Sequence, residues 1–340
     1  MSEFLAWKAD PSRYFGVSDP TFEKLRKPLP KNAPYELVET SYFGFSIPEE
    51  KIHCEIYHWA HPKFGVTSGG IMIFQGNKRY QWEGDFIEYR NYQPLPDDIT
   101  DCTYADGVTV RMIKPMEEFE IHFEDAATST SVHFTSKAIM PPAFRPTGGH
   151  ITQALKTTGT LVLHGRSYKI DNYFTRDRSW GDPRLETRLD IPPIGWHVGV
   201  FGDDLAFHVT NFESADMNPL IARRYPAMAN GQNHIWGYLW KAGNVLGIKS
   251  SSKVIHREAG SLVPTHVQLR IIDENDERYD IEGSIVARLP MSVWPNMTFF
   301  FALTQWTLKG ESRVGWGDTQ DAMFDQFLRE SSAHGALSSK

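Results

Sequence analysis

Apolar and polar residues alternate from one end of this chain to the other, in ELVETSYFGFSI, HCEIYHWAH, GGIMIFQG, VTVRMI, FEIHFED, SVHFTS, GTLVLHG, WHVGVF, LAFHVTNF, HIWGYLW, THVQLRIID and FFFALTQWTL. A period of two marks strands, whose successive side chains point to opposite faces. Turn pairs separate them, at Gly76-Asn77, Asp106-Gly107, Gly202-Asp203, Gly243-Asn244 and Asn275-Asp276, with the spacing of antiparallel hairpins. Helical pattern is scarce. Short candidates lie at Thr21–Arg26 and Pro219–Tyr225, and a better one follows Asp318 as a cap, with Ala322, Met323, Phe327 and Leu328 on one face. The absence of helices between strands excludes a doubly wound α/β sheet. No Gly-rich phosphate loop follows any strand.

The stretch Met140 to Gly149, MPPAFRPTGG, interrupts the strand rhythm. It predicts a boundary between two β domains, each a barrel or strongly bent sheet, over residues 1–145 and 146–332, with 333–340 as a flexible tail. At 340 residues the chain is long enough for both, and its 10 Trp, 13 Tyr and 21 Phe supply large flat side chains for a core or a ligand pocket. The net charge of −7 and the lack of basic runs interleaved with aromatics exclude a nucleic-acid binder. The longest apolar run, near Met297 to Leu303, is too short to span a bilayer, and the N-terminus does not read as a signal peptide, so a soluble cytoplasmic protein is expected. Cys54 and Cys102 stand in no metal or redox spacing and read as free thiols. Whether the chain forms a homodimer stays open, since aromatic richness serves an interface as readily as a cavity.

Three constellations carry candidate chemistry. The first is DNYFTRDRSWGDPR, residues 171–184, in which a regular strand puts Asp171, Tyr173, Thr175 and Asp177 on one face and Asn172, Phe174, Arg176 and Arg178 on the other. These charges, with Trp180 and Arg184, read either as a catalytic wall or as an ion-pair girder bracing two sheets. The second is a hairpin turning at Gly202-Asp203, which would set His197 opposite His208 and place both imidazoles on one face. Solvent-facing or simply hydrogen-bonded histidines are the alternative. The third is the strand His53 to His61, with His53, Glu55, Tyr57, Trp59 and His61 on one side and Cys54, Ile56 and His58 on the other. Acid, phenol and indole in a row suit a lined pocket, and equally an amphipathic edge strand. Histidines three apart, as in His58 and His61, fall on opposite strand faces, and no HExxH occurs, so no metal site is expected.

The segments HCEIYHWAHPKFGVTSGGIMIF, HGRSYKIDNYFTRDRSWGDPR and GWHVGVFGDDLAFHVTNF resemble the two-domain lipocalin-like superfamily of carotenoid 1,2-hydratase (hydroxyneurosporene synthase). Tocopherol cyclase and the fungal decalin-forming Diels-Alderases are similar in architecture. The specific part is G-x-x-Y-x-I-D…R-D-x-S-W-G from Gly165 to Gly181, joined by Glu55-x-Tyr57. The resemblance implies two lipocalin-like antiparallel β-barrel or bent-sheet domains with few helices, a hydrophobic ligand in or between them, and hydration, isomerisation or cyclisation without metal or organic cofactor. The motif positions carried over are Asp171, Arg176, Asp177, Ser179, Trp180 and Gly181. The expected catalytic groups are therefore Asp177, His197, His208, Asp171 and Tyr173, with Glu55, Tyr57, Trp59, Arg176, Trp180, Trp196 and Trp236 binding substrate. A carrier that holds a hydrophobic metabolite unchanged is the competing class.

Overall fold

The computed structural model describes residues 19–27, 29, 31–146, 149–180, 191–214, 219–226, 233–259 and 261–333. Its first half is an 11-stranded antiparallel sheet made of β1 (Glu39–Ile47), β2 (Ile52–His61), β3 (Val66–Gln75), β4 (Phe86–Pro94), β5 (Asp101–Thr103), β6 (Thr109–Lys114), β7 (Glu118–Asp125), β8 (Thr130–Ala138), β9 (Ala143–Phe144), β10 (His150–Leu163) and β11 (Arg166–Ser179). The spatial order is β4-β3-β2-β1-β11-β10-β8-β7-β6-β5, with β9 paired to β10. The second half is a closed barrel of β12 (Ile194–Gly202), β13 (Leu205–Phe212), β14 (His234–Lys241), β15 (Asn244–Arg257), β16 (Pro264–Asp273), β17 (Arg278–Trp294), β18 (Met297–Leu308) and β19 (Gly315–Phe324). Among the described residues two α-helices, α1 (Pro219–Arg224) and α2 (Asp325–Ala333), accompany it.

The expected boundary at residue 146 does not divide the two sheets. Strands β10 and β11 complete the first sheet, because β10 pairs with β8 and β11 pairs with β1 along Thr40↔Ser179 to Tyr42↔Asp177. The proline-rich stretch instead encloses the two-residue strand β9. The chain changes sheets between Ser179 and Ile194; residues 181–190, Gly181 and Arg184 among them, and residues 334–340 lie outside the described residues.

The first sheet curls so that one face fills its own concavity. Phe43 of β1 meets Phe119 of β7 at 5.5 Å between ring centroids, and Phe45 meets Phe134 of β8 at the same separation. Cys54 and Ile56 belong to this core. The alternate residues of β1, β2 and β3 turn outward, and there Trp59, Met72 and Phe74 pack with Trp236, Trp240, Trp294 and Phe301 from the barrel. This continuous apolar layer joins the two halves into one body, since the barrel covers the outward residues of β1, β2 and β3.

The C-terminal helix begins at Asp325, not at Asp318. Residues 315–324 are strand β19, which closes the barrel between β18 and β12. Barrel closure covers both faces of this segment, so GDTQDAMF needs no helical stripe to be buried. Helix α2 keeps the apolar contact expected of it, with Phe327 buried in the layer between the sheets. Pro219–Arg224 is helical as expected, while the first candidate is a 3-10 turn over Pro20–Glu23 capped by Asp19. No helix among the described residues is long and apolar enough to cross a membrane.

Candidate active site

The outward face of β1 and β2 carries Tyr42, His53, Glu55, Tyr57 and Trp59 toward the barrel. Register places them together: Tyr42 pairs with Tyr57, Gly44 with Glu55 and Ser46 with His53, and paired residues share a face. Gly44 is required there, because a Cβ would lie 2.1 Å from the Cys54 carbonyl oxygen and 2.6 Å from the Phe174 ring. Strand β2 runs between β1 and β3, so it is an interior strand and not an edge.

Asp318 of β19 enters this group from the barrel. Tyr42 donates its hydroxyl to Asp318 Oδ2 at 2.9 Å, and Gln320 donates to the same oxygen at 2.7 Å. His53 Nε2 lies 2.7 Å from Glu55 Oε1 and 3.7 Å from Asp318 Oδ1. Tyr42, His53, Glu55 and Asp318 are all buried. Among the described residues, Glu55 Oε2, His53 Nδ1 and Asp318 Oδ1 have no hydrogen-bond partner. Buried polar atoms are rarely left so, because each loses its hydration for nothing in return.

Burial sets the protonation of this cluster. It raises the Glu55 carboxyl, and the Asp318 carboxylate raises it further against the opposing His53. Burial alone would depress His53, but the Glu55 and Asp318 carboxylates outweigh it and lift the imidazole to about 9. Tyr42 is pushed well up by burial and then by the two acids. Glu55 is pushed up to about 7 and His53 up to about 9, so the two groups hold and exchange protons as a pair. His53, Glu55 and Asp318 also bring three ligand-type atoms within 4.8 Å of one another, a grouping that the spacing of histidines in the sequence does not reveal. Their mutual contacts and those to Tyr42 and Gln320 form one buried polar network.

Aromatic groups flank the acids. Trp294 donates its indole N–H to the Tyr57 hydroxyl at 3.2 Å, Trp59 donates to Tyr89 at 2.9 Å, and Tyr89 donates its own hydroxyl to the Val293 carbonyl. Phe174 lies 5.4 Å from the Tyr42 ring and 5.9 Å from His53. Half-buried Asp177 pairs with Tyr42 across β1 and β11 and is a further acid on this face.

The other expected site residues are dispersed. Arg176 and Arg178 point away from Asp177, into the core of the first sheet. Arg176 forks onto Glu23 at 3.0 and 2.6 Å, takes Gln153 at 3.0 Å and lies 4.2 Å over the Phe119 ring. Arg178 pairs with Glu39 and donates to the Thr40 carbonyl. Trp180 stacks on Phe22 at 5.0 Å in a small separate cluster with Met116, Phe144 and Ile151. The arginines are held in ion pairs, but these tie β11 to β1 and to the turn at Pro20–Glu23 and do not brace two sheets. Asp171 is exposed and bound by Lys156 and Lys169, whose hydrogen bonds hold its carboxyl down at about 2. Tyr173 donates to Asp203 at 3.0 Å at the rim of the barrel.

His197 and His208 do not share a face. The β12–β13 hairpin pairs Gly202 with Leu205 and then Val200 with Ala206, so Phe201 is an extra residue in one strand. This bulge shifts the register by one, pairing His197 with Val209 and Val198 with His208. His197 faces the barrel interior, 6.3 Å from Trp306. His208 faces the layer between the sheets, 4.5 Å from Trp236 and 5.7 Å from Tyr238, and burial and His234 lower it to about 3. Trp236 also meets His150 edge-on at 5.3 Å, and half-buried Trp196 stacks on Phe299.

The sequence does not single out Tyr42, Asp318, Gln320 or Trp294 as site residues. Asp318 reads there as a helix cap, and Tyr42 lies in an ordinary strand pattern. Their one sequence signal is polar residues on strand faces that both sheets bury.

Several solved structures share this architecture, among them the three that follow. Kievitone hydratase from Nectria haematococca is 12% identical, matched over 95% of this chain and 99% of that one with a TM-score of 0.54. A putative AttH from Nitrosomonas europaea is 12% identical over 90% of this chain and 99% of its own, with a TM-score of 0.50. CghA with Sch210972 is 12% identical over 85% and 88%, with a TM-score of 0.52. At such identities the likeness is one of fold. No curated protein matches the chain. The family described as Domain of unknown function (DUF7064) matches residues 26–323, and the chain belongs to that family.

Proposed function

We propose that this protein is an acid–base enzyme, a hydratase or dehydratase, isomerase or cyclase, acting on a hydrophobic small molecule held between the two sheets. The observation that carries the reading is the buried Glu55, its carboxyl pushed up to about 7, with Oε2 unpartnered among the described residues and Oε1 2.7 Å from His53. The hydratase named among the fold relatives supports the reaction class by analogy of fold.

In a hydration, Glu55 Oε2 gives its proton to an alkene carbon. The cation that forms faces Trp294 and Tyr57, whose π-faces stabilise positive charge without quenching it. Water adds to the cation, and its proton passes to Asp318 Oδ1, positioned by the bonds from Tyr42 and Gln320 to Oδ2. The path from Asp318 Oδ1 through His53 Nε2 to Glu55 Oε1 spans 3.7 and 2.7 Å and restores the acid. Run backward, the same groups protonate a hydroxyl that leaves as water. Asp177, across from Tyr42, is the further acid available to direct water.

The test is incubation of catalytic amounts of protein with isoprenoid, steroid and aromatic alkenes and alcohols, read as gain or loss of water or as isomerisation by mass spectrometry and chromatography. Turnover that Glu55→Gln abolishes supports the proposal. Stoichiometric binding of a molecule that is returned unchanged would instead identify a carrier.

A further inference from the structure

Away from the layer between the sheets, the outer face of the first sheet carries an open cleft of about 230 Å³, lined by Thr109, Arg111, Glu120, His122 and His133. Strand alternation builds it. Val110, Ile121 and Phe134 turn inward to the core of the first sheet, so their neighbours on β6, β7 and β8 turn to solvent. Register sets Thr109 against His122 and His122 against His133, and two residues along it sets Arg111 against Glu120. Two imidazoles therefore stand side by side on adjacent strands, with ring centroids 5.9 Å apart. The hairpin of β7 and β8 brings them together, which their spacing in the sequence does not reveal.

Three of these side chains are of the kinds that hold transition metals. Directly paired residues on antiparallel strands have Cβ atoms about 4.5–5.5 Å apart, so both imidazoles can reach one ion at the about 2.0–2.1 Å of a zinc–nitrogen bond. His122 is exposed and the His133 side chain is 62% exposed, so both rings can turn toward a common point without disturbing the core. Glu120 Oε1 already lies 3.0 Å from His133 Nε2, which brings a carboxylate to the same place. The local charge favours a cation. Arg111 lies 3.3 Å from Glu120 and 3.4 Å from Asp101, so two acids face one guanidinium.

We propose that His122, His133 and Glu120 form a surface site for a divalent transition-metal ion such as Zn²⁺. One nitrogen of each imidazole and one carboxylate oxygen donate lone pairs, and water from the cleft takes the fourth position of a tetrahedral shell. Glu120 exchanges its contact with His133 for the ion, while Arg111 keeps Asp101. Two imidazoles select such ions over Mg²⁺, which takes oxygen ligands. The ion would tie β7 to β8 on the outer surface. This site is separate from the Glu55 cluster and does not depend on its function.

The test is equilibrium dialysis of chelator-treated protein against Zn²⁺, with diethyl pyrocarbonate acylation to place the ion. The expected result is a zinc ion retained at micromolar free metal and lost in His122→Gln and in His133→Gln, two substitutions at exposed positions that leave the core intact. Excess Mg²⁺ does not displace it. Bound zinc also shields His122 and His133 from acylation, read by peptide mass mapping, while exposed His164 reacts as before. Zinc that is not retained, or that parent and both variants retain equally, would overturn the proposal. So would acylation of His122 and His133 at an unchanged rate in the presence of zinc.

Discussion

His53 and Glu55, two residues apart on β2, meet at 2.7 Å in the layer between the two sheets, and neither is more than 1% exposed. A second acid, Asp318, reaches them from the far end of the chain. An ionisable cluster of this kind is expensive to bury, and the acid–base role proposed for it accounts for that cost.

The position of Asp318 separates it from Asp171, one of the acids that the sequence motif carries over. Asp318→Asn should lower kcat by roughly 10²- to 10⁴-fold, as loss of an acid–base group does. Asp171→Asn, at an exposed carboxylate tied to Lys156 and Lys169, should leave kcat unchanged. Steady-state rates on whichever substrate the panel yields make the comparison.

The paired arginines should govern stability and not rate. Removing Glu23 alone leaves the buried Arg176 guanidinium uncompensated, a loss of about 3–5 kcal/mol. Replacing both, as Glu23→Leu with Arg176→Met, should recover most of it. Urea unfolding midpoints of the two single variants and the double variant measure the coupling.

The pH dependence of stability has a definite sign at His53. Its folded pKa, about 9, lies above its ordinary value of 6.5, so the folded state holds the proton more tightly than the unfolded chain. That contribution is fully present below about pH 6.5 and is lost as pH rises through about 9. The melting-temperature gap between the parent protein and His53→Gln should therefore shrink steadily over that interval. His208 and His234, lowered by burial to about 3 and about 4, act oppositely. Their contribution is present above about pH 6.5 and lost as pH falls toward those values.

Strand alternation alone makes much of this arrangement legible in the sequence. It separates the two faces of β2, with Cys54 and Ile56 in the first core and Glu55, Tyr57 and Trp59 toward the barrel. It also separates Asp177 from the two arginines, because β11 pairs with β10 without a register break from Arg166 to Ser179. What alternation cannot supply is register across a bulge. One extra residue, Phe201, turns His197 and His208 to opposite faces. Pairing between distant strands is equally hidden. Asp318 reaches Tyr42 only because β19 closes the barrel against the sheet that contains β1, a contact between residues 276 positions apart. The proline-rich stretch misleads for a related reason: prolines disfavour ladder pairing locally but do not say which sheet the next strand joins.

The central claim is that Glu55 holds a proton at a pH where glutamate is ordinarily ionised. Infrared difference spectroscopy at about pH 6, well above the ordinary glutamate range, reads this directly through the carbonyl stretch of a carboxylic acid and its shift in heavy water. The account predicts a buried carboxylic-acid band in the parent protein that vanishes in Glu55→Gln; absence of the band, or its persistence in that variant, would contradict it.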